Sequence, residues 1–282
     1  MNESTFRFPG DGGSGCRLRF TGPAGMARLT TTPVVRGFVW RTRSTGPTLV
    51  ASALAPLAPH AFTTRAFESP PPGGSPAAIA GLFGLPESAV VRVRQVHGAE
   101  VLSIGPGGGA DPGAAADAIV ARDPSKAIAV SVADCVPVLL ADRRRRVVAA
   151  VHAGWRGTAA GVVGAAVARM RDEGVPASDL VAAIGPSIGP CCYQVDRPVR
   201  EAFMARRRGA TGWFTADGPD RWKLDLWEAN RSALLDAGVL TEAIHVAGLC
   251  TFHHADVFHS YRREGAHSGR MFAAIRLEPD RS

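Results

Sequence analysis

Residues 129–157 read AVSVADCVPVLLADRRRRVVAAVHAGWRG, and this stretch decides the fold. Short apolar runs flank Asp134-Cys135, the second being Val136-Pro137-Val138-Leu139-Leu140, and a third covers residues 147–151. Runs of this length, broken by charge and turn residues, predict buried strands whose ends carry polar groups. Cys135 and His152 then stand at a strand break and a strand end, rigid places from which to aim a side chain. A lone buried cysteine is usually a small hydrophobe. One beside Asp134 at a break is poorly explained by packing, and so is a histidine just ahead of the glycine-bracketed turn Gly154-Trp155-Arg156-Gly157. Residues 158–172 read as a helix with Val162, Val163, Ala166, Val167 and Met170 on one face. Strand, glycine turn and helix in that order place backbone N–H groups at the end of the third run, an anion-binding arrangement with Arg156 inside it.

Around this centre, residues 34–40 alternate like a strand and a second strand ends at residues 60–65. The proline- and glycine-rich residues 68–76 form a loop, after which residues 76–83 make a short helix capped by Ser75. Residues 90–96 alternate as a half-buried strand ending at His97-Gly98, and a glycine-rich loop leads to a strand at 118–120, preceded by Asp117. Downstream come strands at 181–184, 243–249 and 271–277 and helices at 198–206 and 226–237. Strands and helices mix without a repeat, which predicts one α/β domain. Residues 1–30, punctuated by Gly and Pro, are expected to be a disordered tail or an extension upstream of the true start, leaving residues 31–282 as the domain.

Composition narrows the function classes. A hydrophobic fraction of 46% with 20% charged residues buries a large core over 282 residues. There is no apolar run of the ~18 residues a membrane-spanning helix needs, and the N-terminus has no signal-peptide pattern, so a cytoplasmic protein without a membrane partner is expected. Five cysteines at irregular spacing do not form a disulfide framework. The net charge of +7 reflects an excess of arginine, concentrated at residues 143–146 and 206–208. No aromatics interleave with them, so they read as solvated turns rather than a nucleic-acid surface, while remaining compatible with an anionic substrate.

His97, Cys135 and His152 are residue types that bind zinc or copper, each at a predicted strand end or break. Three such ligands leave a fourth tetrahedral position open, as in catalytic zinc. Their spacing forms no compact signature.

Five motifs carry a resemblance: Arg94-Gln95-Val96-His97-Gly98, Ala133-Asp134-Cys135-Val136-Pro137, His152-Ala153-Gly154-Trp155-Arg156-Gly157, the run Ile184-Gly185-Pro186-Ser187-Ile188-Gly189-Pro190-Cys191-Cys192-Tyr193, and Ser260-Tyr261-Arg262-Arg263. In order across residues 55–278 they resemble the laccase-domain, or polyphenol oxidase, family of purine nucleoside phosphorylases, which includes proteins described as peptidoglycan editing factors. The resemblance implies a single α/β/β/α layered sandwich with mixed sheets, and zinc held by His97, Cys135 and His152 as catalytic residues. It also implies phosphorolysis of adenosine, inosine and S-methyl-5'-thioadenosine, with adenosine deamination alongside. The partners are then a purine nucleoside and phosphate, with Arg156 as the first candidate to bind phosphate and Arg65 the second. One departure stands out. Where the family continues from Phe-Thr-Thr-Arg with Gly-Gly-Val-Ser and a longer helix, this chain has Ala66-Phe67-Glu68-Ser69 and the proline loop, which predicts an altered substrate pocket across residues 66–80.

Cys191-Cys192 and Cys250 read as structural, and His253, His254, His259 and His267 as a polar rim or a second metal site. Asp134 reads as a group that orients a ligand and Asp117 as a turn cap. Two other enzyme classes fit these residues. One is a cysteine hydrolase acting on a cell-wall peptide precursor, with Cys135 as nucleophile and His152 or His97 as base. The other is a copper-dependent polyphenol oxidase, a side activity at most because none of the eight histidines forms a His-x-His pair. The oligomeric state is not legible.

Overall fold

In the computed structural model, which describes residues 33–43, 45–67, 75–108, 111, 113–207 and 209–278, the strands around residues 127–153 form the buried centre of two stacked sheets. The expected tail at residues 1–30 and the proline-loop residues 68–74 lie outside the described residues. In chain order the strands are β1 (Phe38–Arg43), β2 (Gly46–Ala51), β3 (His60–Thr63), β4 (Val90–Val91), β5 (Val101–Ile104), β6 (Ala118–Ala121), β7 (Ala127–Val132), β8 (Val136–Asp142), β9 (Val148–Ala153), β10 (Leu180–Ile184), β11 (Gln194–Asp196), β12 (Phe214–Ala216), β13 (Arg221–Leu224), β14 (Ile244–Val246) and β15 (Met271–Arg276). The helices are α1 (Pro76–Gly81), α2 (Trp155–Ala160), α3 (Val162–Asp172), α4 (Arg197–Met204), α5 (Leu226–Asp236) and α6 (Tyr261–Glu264).

The first sheet has the order β1-β2-β3-β15-β7-β4 and the second β14-β10-β8-β9-β6-β5, with a small sheet β11-β13-β12 at the side. Both large sheets mix orientations: β4 runs parallel to β7 in the first, and β5 to β6 and β14 to β10 in the second, the other pairs being antiparallel. The period-2 pattern of β15 explains the stacking. Met271, Ala273 and Ile275 point into the main core, while Phe272 and Ala274 pack outward with Ile79 and Leu82 at α1. Every residue of β8 and β9 is buried. These strands lie against β7 and β15 of the first sheet, and α3 covers β9, β6 and β5 from the far side. The layers therefore run helix, sheet, sheet, helix. Each valine, leucine or isoleucine sunk there contributes about 1.5–3 kcal/mol of transfer free energy. Among the described residues no helix is long and apolar enough to cross a membrane.

Several elements differ from the sequence reading for identifiable reasons. The helix expected over residues 158–172 begins earlier, at Trp155, and is cut by Gly161, whose φ of 96° is left-handed and whose N–H reaches the Gly157 and Thr158 carbonyls. The strand expected over residues 90–96 stops at Val91. Beyond it the Gln95 side chain takes over the pairing, accepting from Ser131 N at 2.7 Å and donating to Ser131 O at 2.8 Å. Strand β2 is hidden in the sequence by its Gly46-Pro47 start, and β5 and the β11-β13-β12 strands by their length of three or four residues, too short for a pattern to show. The arginine turn is tied down by carboxylates: Arg144 to Asp179 at 3.5 Å, Arg145 to Glu278 at 2.6 Å and Arg146 to Asp142 at 2.7 Å.

Candidate active site

The strand order of the second sheet brings the predicted ligands together at one end. Strands β8 and β9 are a hairpin closed by the arginine turn, with Val136 opposite Ala153 and Pro137 opposite His152, so Cys135 and His152 end up side by side. Strand β6 pairs with β9 so that Ala118 faces Val151, which sets Asp117 beside His152. The turn at His97-Gly98 lies ahead of β5, the parallel neighbour of β6. One donor atom from each of His97, Cys135 and His152 lies within 4.8 Å of the others, Cys135 Sγ and His97 Nε2 being 4.0 Å apart.

Asp117 organises this corner. It is fully buried, and its carboxylate accepts from the backbone N–H groups of Val96, His97 and Gly98 at 3.2, 2.9 and 2.6 Å. The same carboxylate lies 2.8 Å from His152 Nδ1, which leaves Nε2 of His152 turned toward Cys135 and His97. His97 has a left-handed φ of 60°, a strained conformation for a side chain other than glycine, and the three N–H bonds to Asp117 hold it there. The turn-cap reading of Asp117 was half of its role. The ligand-orienting half needed the β6–β9 register, which no local pattern reveals.

Both glycines of the HAGWRG motif have a reason in space. A Cβ on Gly154 would sit 3.0 Å from both Cys135 Sγ and His97 Cδ2, and one on Gly157 would lie 2.8 Å from the Gly98 carbonyl oxygen. Helix α2 thus closes directly on the His97 turn.

The electrostatics follow from this packing. Burial alone would push the Cys135 thiol up, but hydrogen bonds and positive charge from His152 and His97 outweigh it and bring its pKa down to about 6. Burial opposes charge on His152, yet its bonds to Asp117 and Cys135 raise its pKa to about 9. Asp117 is itself held below the ordinary carboxylate range, its burial being outweighed by His152 and the backbone donors. Without a metal the corner therefore favours a thiolate beside an imidazolium. The donor set, nitrogen, sulfur and nitrogen with an aspartate behind one imidazole, also suits a zinc-class ion with an open position.

Other expected residues fall into different settings. Arg156, on the first turn of α2, stacks its guanidinium on the Trp155 ring at 4.3 Å. Tyr193, from the loop after β10, is pushed up by burial and by the charge of Cys135, opposed by Arg262 and Arg156, so its hydroxyl shares the field of the corner. The Arg262 guanidinium lies 5.1 Å from the Tyr193 ring centre. Tyr193 did not stand out in the sequence for this role; Arg262, with Arg263, reads there as a residue that steers a substrate or pairs with carboxylates. Arg65 reaches the Ala255 carbonyl and pairs with Glu264 at 3.7 Å. Asp134 does not touch a candidate ligand's ring. It accepts from Thr251 Oγ1 at 2.5 Å, Ser260 Oγ at 3.0 Å and Arg262 N at 2.6 Å, clasping the C-terminal segment to the strand break.

Comparison with known proteins places the chain among relatives of similar sequence and fold. A purine nucleoside phosphorylase of Bacteroides thetaiotaomicron is 40% identical over 171 residues, 57% of this chain and 60% of that protein. One of Deinococcus radiodurans is 35% identical over 248 residues, 82% of this chain and 93% of that protein. The crystal structure of the Bacillus licheniformis hypothetical protein YfiH superposes with a TM-score of 0.76 at 29% identity, covering 85% of this chain and 99% of that one. The family model described as multi-copper polyphenol oxidoreductase laccase matches residues 76–278, and the chain belongs to that family.

Proposed function

We propose that this chain is a zinc-dependent purine nucleoside phosphorylase acting on adenosine, inosine and S-methyl-5'-thioadenosine, with adenosine deaminase activity at the same site. The observation that carries the reading is the convergence of His97, Cys135 and His152 at one sheet end with Asp117 bonded behind His152. The names of the relatives supply the substrate class. In this reading His97 Nε2, Cys135 Sγ and His152 Nε2 would hold the ion, which when bound would supply Lewis acidity.

The chain's own residues supply the remainder. Asp117 fixes the His152 ring and the His97 turn, so the ligands do not reorganise during turnover. Arg156, its guanidinium over the Trp155 ring, takes the phosphate, whose attack on C1' of the ribose breaks the glycosidic bond and releases the purine with the 1-phosphate of that ribose, 5-methylthio-substituted where S-methyl-5'-thioadenosine is the substrate. Arg262 adds positive charge at Tyr193, and Arg65, engaged by Glu264, is the lesser anion candidate. The altered segment 66–80 bears on which nucleoside fits. The reading takes the enzyme as cytoplasmic, which the free state of Cys135, Cys191, Cys192 and Cys250 supports.

The test is turnover of a nucleoside panel with and without phosphate, on wild type and Cys135→Ala, before and after chelation. Phosphate-dependent release of free base that stops on chelation and returns with zinc is expected. Release of free base without phosphate, or no turnover of any nucleoside, overturns the reading, whereas ammonia released from adenosine without phosphate is the deamination it includes. An unchanged phosphate dependence in Arg156→Ala removes that residue's role. One observation favours a second reading: Cys135, His152 and Asp117 are also arranged as a thiolate, base and orienting carboxylate, the set of a cysteine hydrolase. Alkylation of Cys135 in metal-free protein that abolishes activity toward a cell-wall peptide precursor would favour it. Copper in the same donors would give a phenol-oxidase side activity, tested by copper loading alone.

A further inference from the structure

A second group of donors lies outside this corner. Cys191 and Cys192 sit in the loop after β10, and Cys250 and His253 in the turn after β14, and one donor atom from each of the four lies within 4.8 Å of the others. His253 Nδ1 is 3.7 Å from Cys191 Sγ and 3.9 Å from Cys192 Sγ. In a tetrahedral zinc site, bonds of about 2.3 Å to sulfur and about 2.0 Å to nitrogen give a ligand-to-ligand edge of about 3.6 Å. The observed separations are close to that edge, so small rotations of the side chains complete the geometry.

Backbone contacts hold the two segments in register. Ser187 bridges to Cys250, Ser187 N donates to Leu249 O and Thr251 N donates to Ser187 O. Gly189 N donates to Cys250 Sγ at 3.3 Å, a bond that supports a thiolate ligand from behind. Arg263 donates to the carbonyls of Thr251 and Phe252 and fixes the turn from its other side. Three sulfurs and an imidazole nitrogen are a closed donor set, with no carboxylate and no position left open, which is the pattern of structural rather than catalytic zinc.

We propose that Cys191, Cys192, Cys250 and His253 form a second, structural zinc site that staples the loop carrying Tyr193 to the turn carrying Thr251. Binding releases the three thiol protons to solvent and leaves three thiolates, a neutral imidazole and the divalent ion with a net charge of −1. Through the Thr251 bond to Asp134, the residue before Cys135, the staple reaches the strand break that carries Cys135.

The experiment is zinc content of the full chain, purified under reducing conditions without chelator. Two equivalents are expected in wild type, one in Cys135→Ser, one in Cys250→Ser and none in the double variant. Because Cys250 is buried and its variant is at risk of misfolding, Cys191→Ser and His253→Ala, at exposed positions, are measured too, each with its fold checked by circular dichroism. Each is expected to lose one equivalent. Cobalt(II) in the Cys135→Ser protein should give strong thiolate-to-metal charge transfer and tetrahedral visible bands that weaken in the added Cys191→Ser background. A wild type holding one equivalent that vanishes in Cys135→Ser overturns the proposal. So does a Cys191–Cys192 disulfide, seen as a mass lower by two hydrogens, in protein that takes no second ion after reduction.

Discussion

Asp117 and Asp134 look alike in the fold and differ in what they hold. Both are buried carboxylates at strand ends of the second sheet, each accepting several hydrogen bonds, and each beside or within a residue of left-handed φ, His97 at 60° and Asp134 itself at 82°. Asp117 gathers three N–H groups of one turn and an imidazole. Asp134 gathers two hydroxyls and an N–H from a segment more than a hundred residues downstream. Burial and bond count do not separate a ligand-orienting carboxylate from a clasp. The identity of the donors does: a ring that is itself a candidate ligand makes the first, and hydroxyls that can turn away make the second.

The comparison breaks if the two respond alike to substitution. Asp117→Ala leaves three backbone donors and a histidine nitrogen without their acceptor, and zinc affinity at the corner should fall about 10–100-fold in a competitive chelator titration. An affinity within twofold of wild type would mean that His152 needs no carboxylate behind it. Asp134→Asn should instead lower stability by about 1–2 kcal/mol in denaturant unfolding, because Thr251 and Ser260 lose a charged acceptor, while the corner keeps its zinc affinity. If Asp134→Asn lost metal as readily as Asp117→Ala, the clasp would be part of the corner.

A finer probe is Gly154→Ala. Its φ of −69° suits alanine, so no backbone strain enters, and the added methyl meets Cys135 Sγ and His97 Cδ2 at 3.0 Å. Displacing two ligands by a few tenths of an ångström should lower kcat/KM about 3–10-fold with little loss of stability. An unchanged kcat/KM would show that the cradle around Cys135 and His97 is looser than its contacts.

How much of this was legible depends on how far apart the partners lie along the chain. Cys135 and His152 could be read because a single charged turn joins β8 to β9, a local hairpin. His97 has no such link. Its arrival depends on the parallel β5–β6 pair and on Gln95 replacing the ladder with its side chain, so residue type and strand end could nominate it but only the five-motif resemblance tied it to the other two. Asp117 was half legible for the same reason: the turn it caps is visible nearby, but the strand opposite is not. Cys191 and Cys192 read as structural because their partners, Cys250 and His253, meet them only across the Ser187–Cys250 bridge. The buried strands were the easiest part, since the unbroken apolar runs of β8 and β9 are visible in the sequence, whereas the stacking of two sheets between helices came only with the family resemblance.

The smallest expected effect is the most selective test of the two carboxylates. In metal-free protein the alkylation rate of Cys135, followed by peptide mass to separate it from the other thiols, should inflect near pH 6, against about 8.5 for an ordinary cysteine. The pair's contribution to stability follows from the two shifts. Cys135 is depressed in the fold, so its share is present above the unfolded thiol value and is lost as pH falls through about 6. His152 is raised, so its share is present below the unfolded imidazole value and is lost as pH rises through about 9. The thiolate–imidazolium pair is thus confined to the window between about 6 and about 9. Asp117→Asn removes the charge that sustains His152, so the imidazole titrates lower, the thiolate loses its counter-charge and the Cys135 inflection moves up. Asp134→Asn touches neither ring, and its inflection should stay near that of wild type. Equal movement in both variants would mean that the corner responds to total negative charge rather than to the one bond between Asp117 and His152.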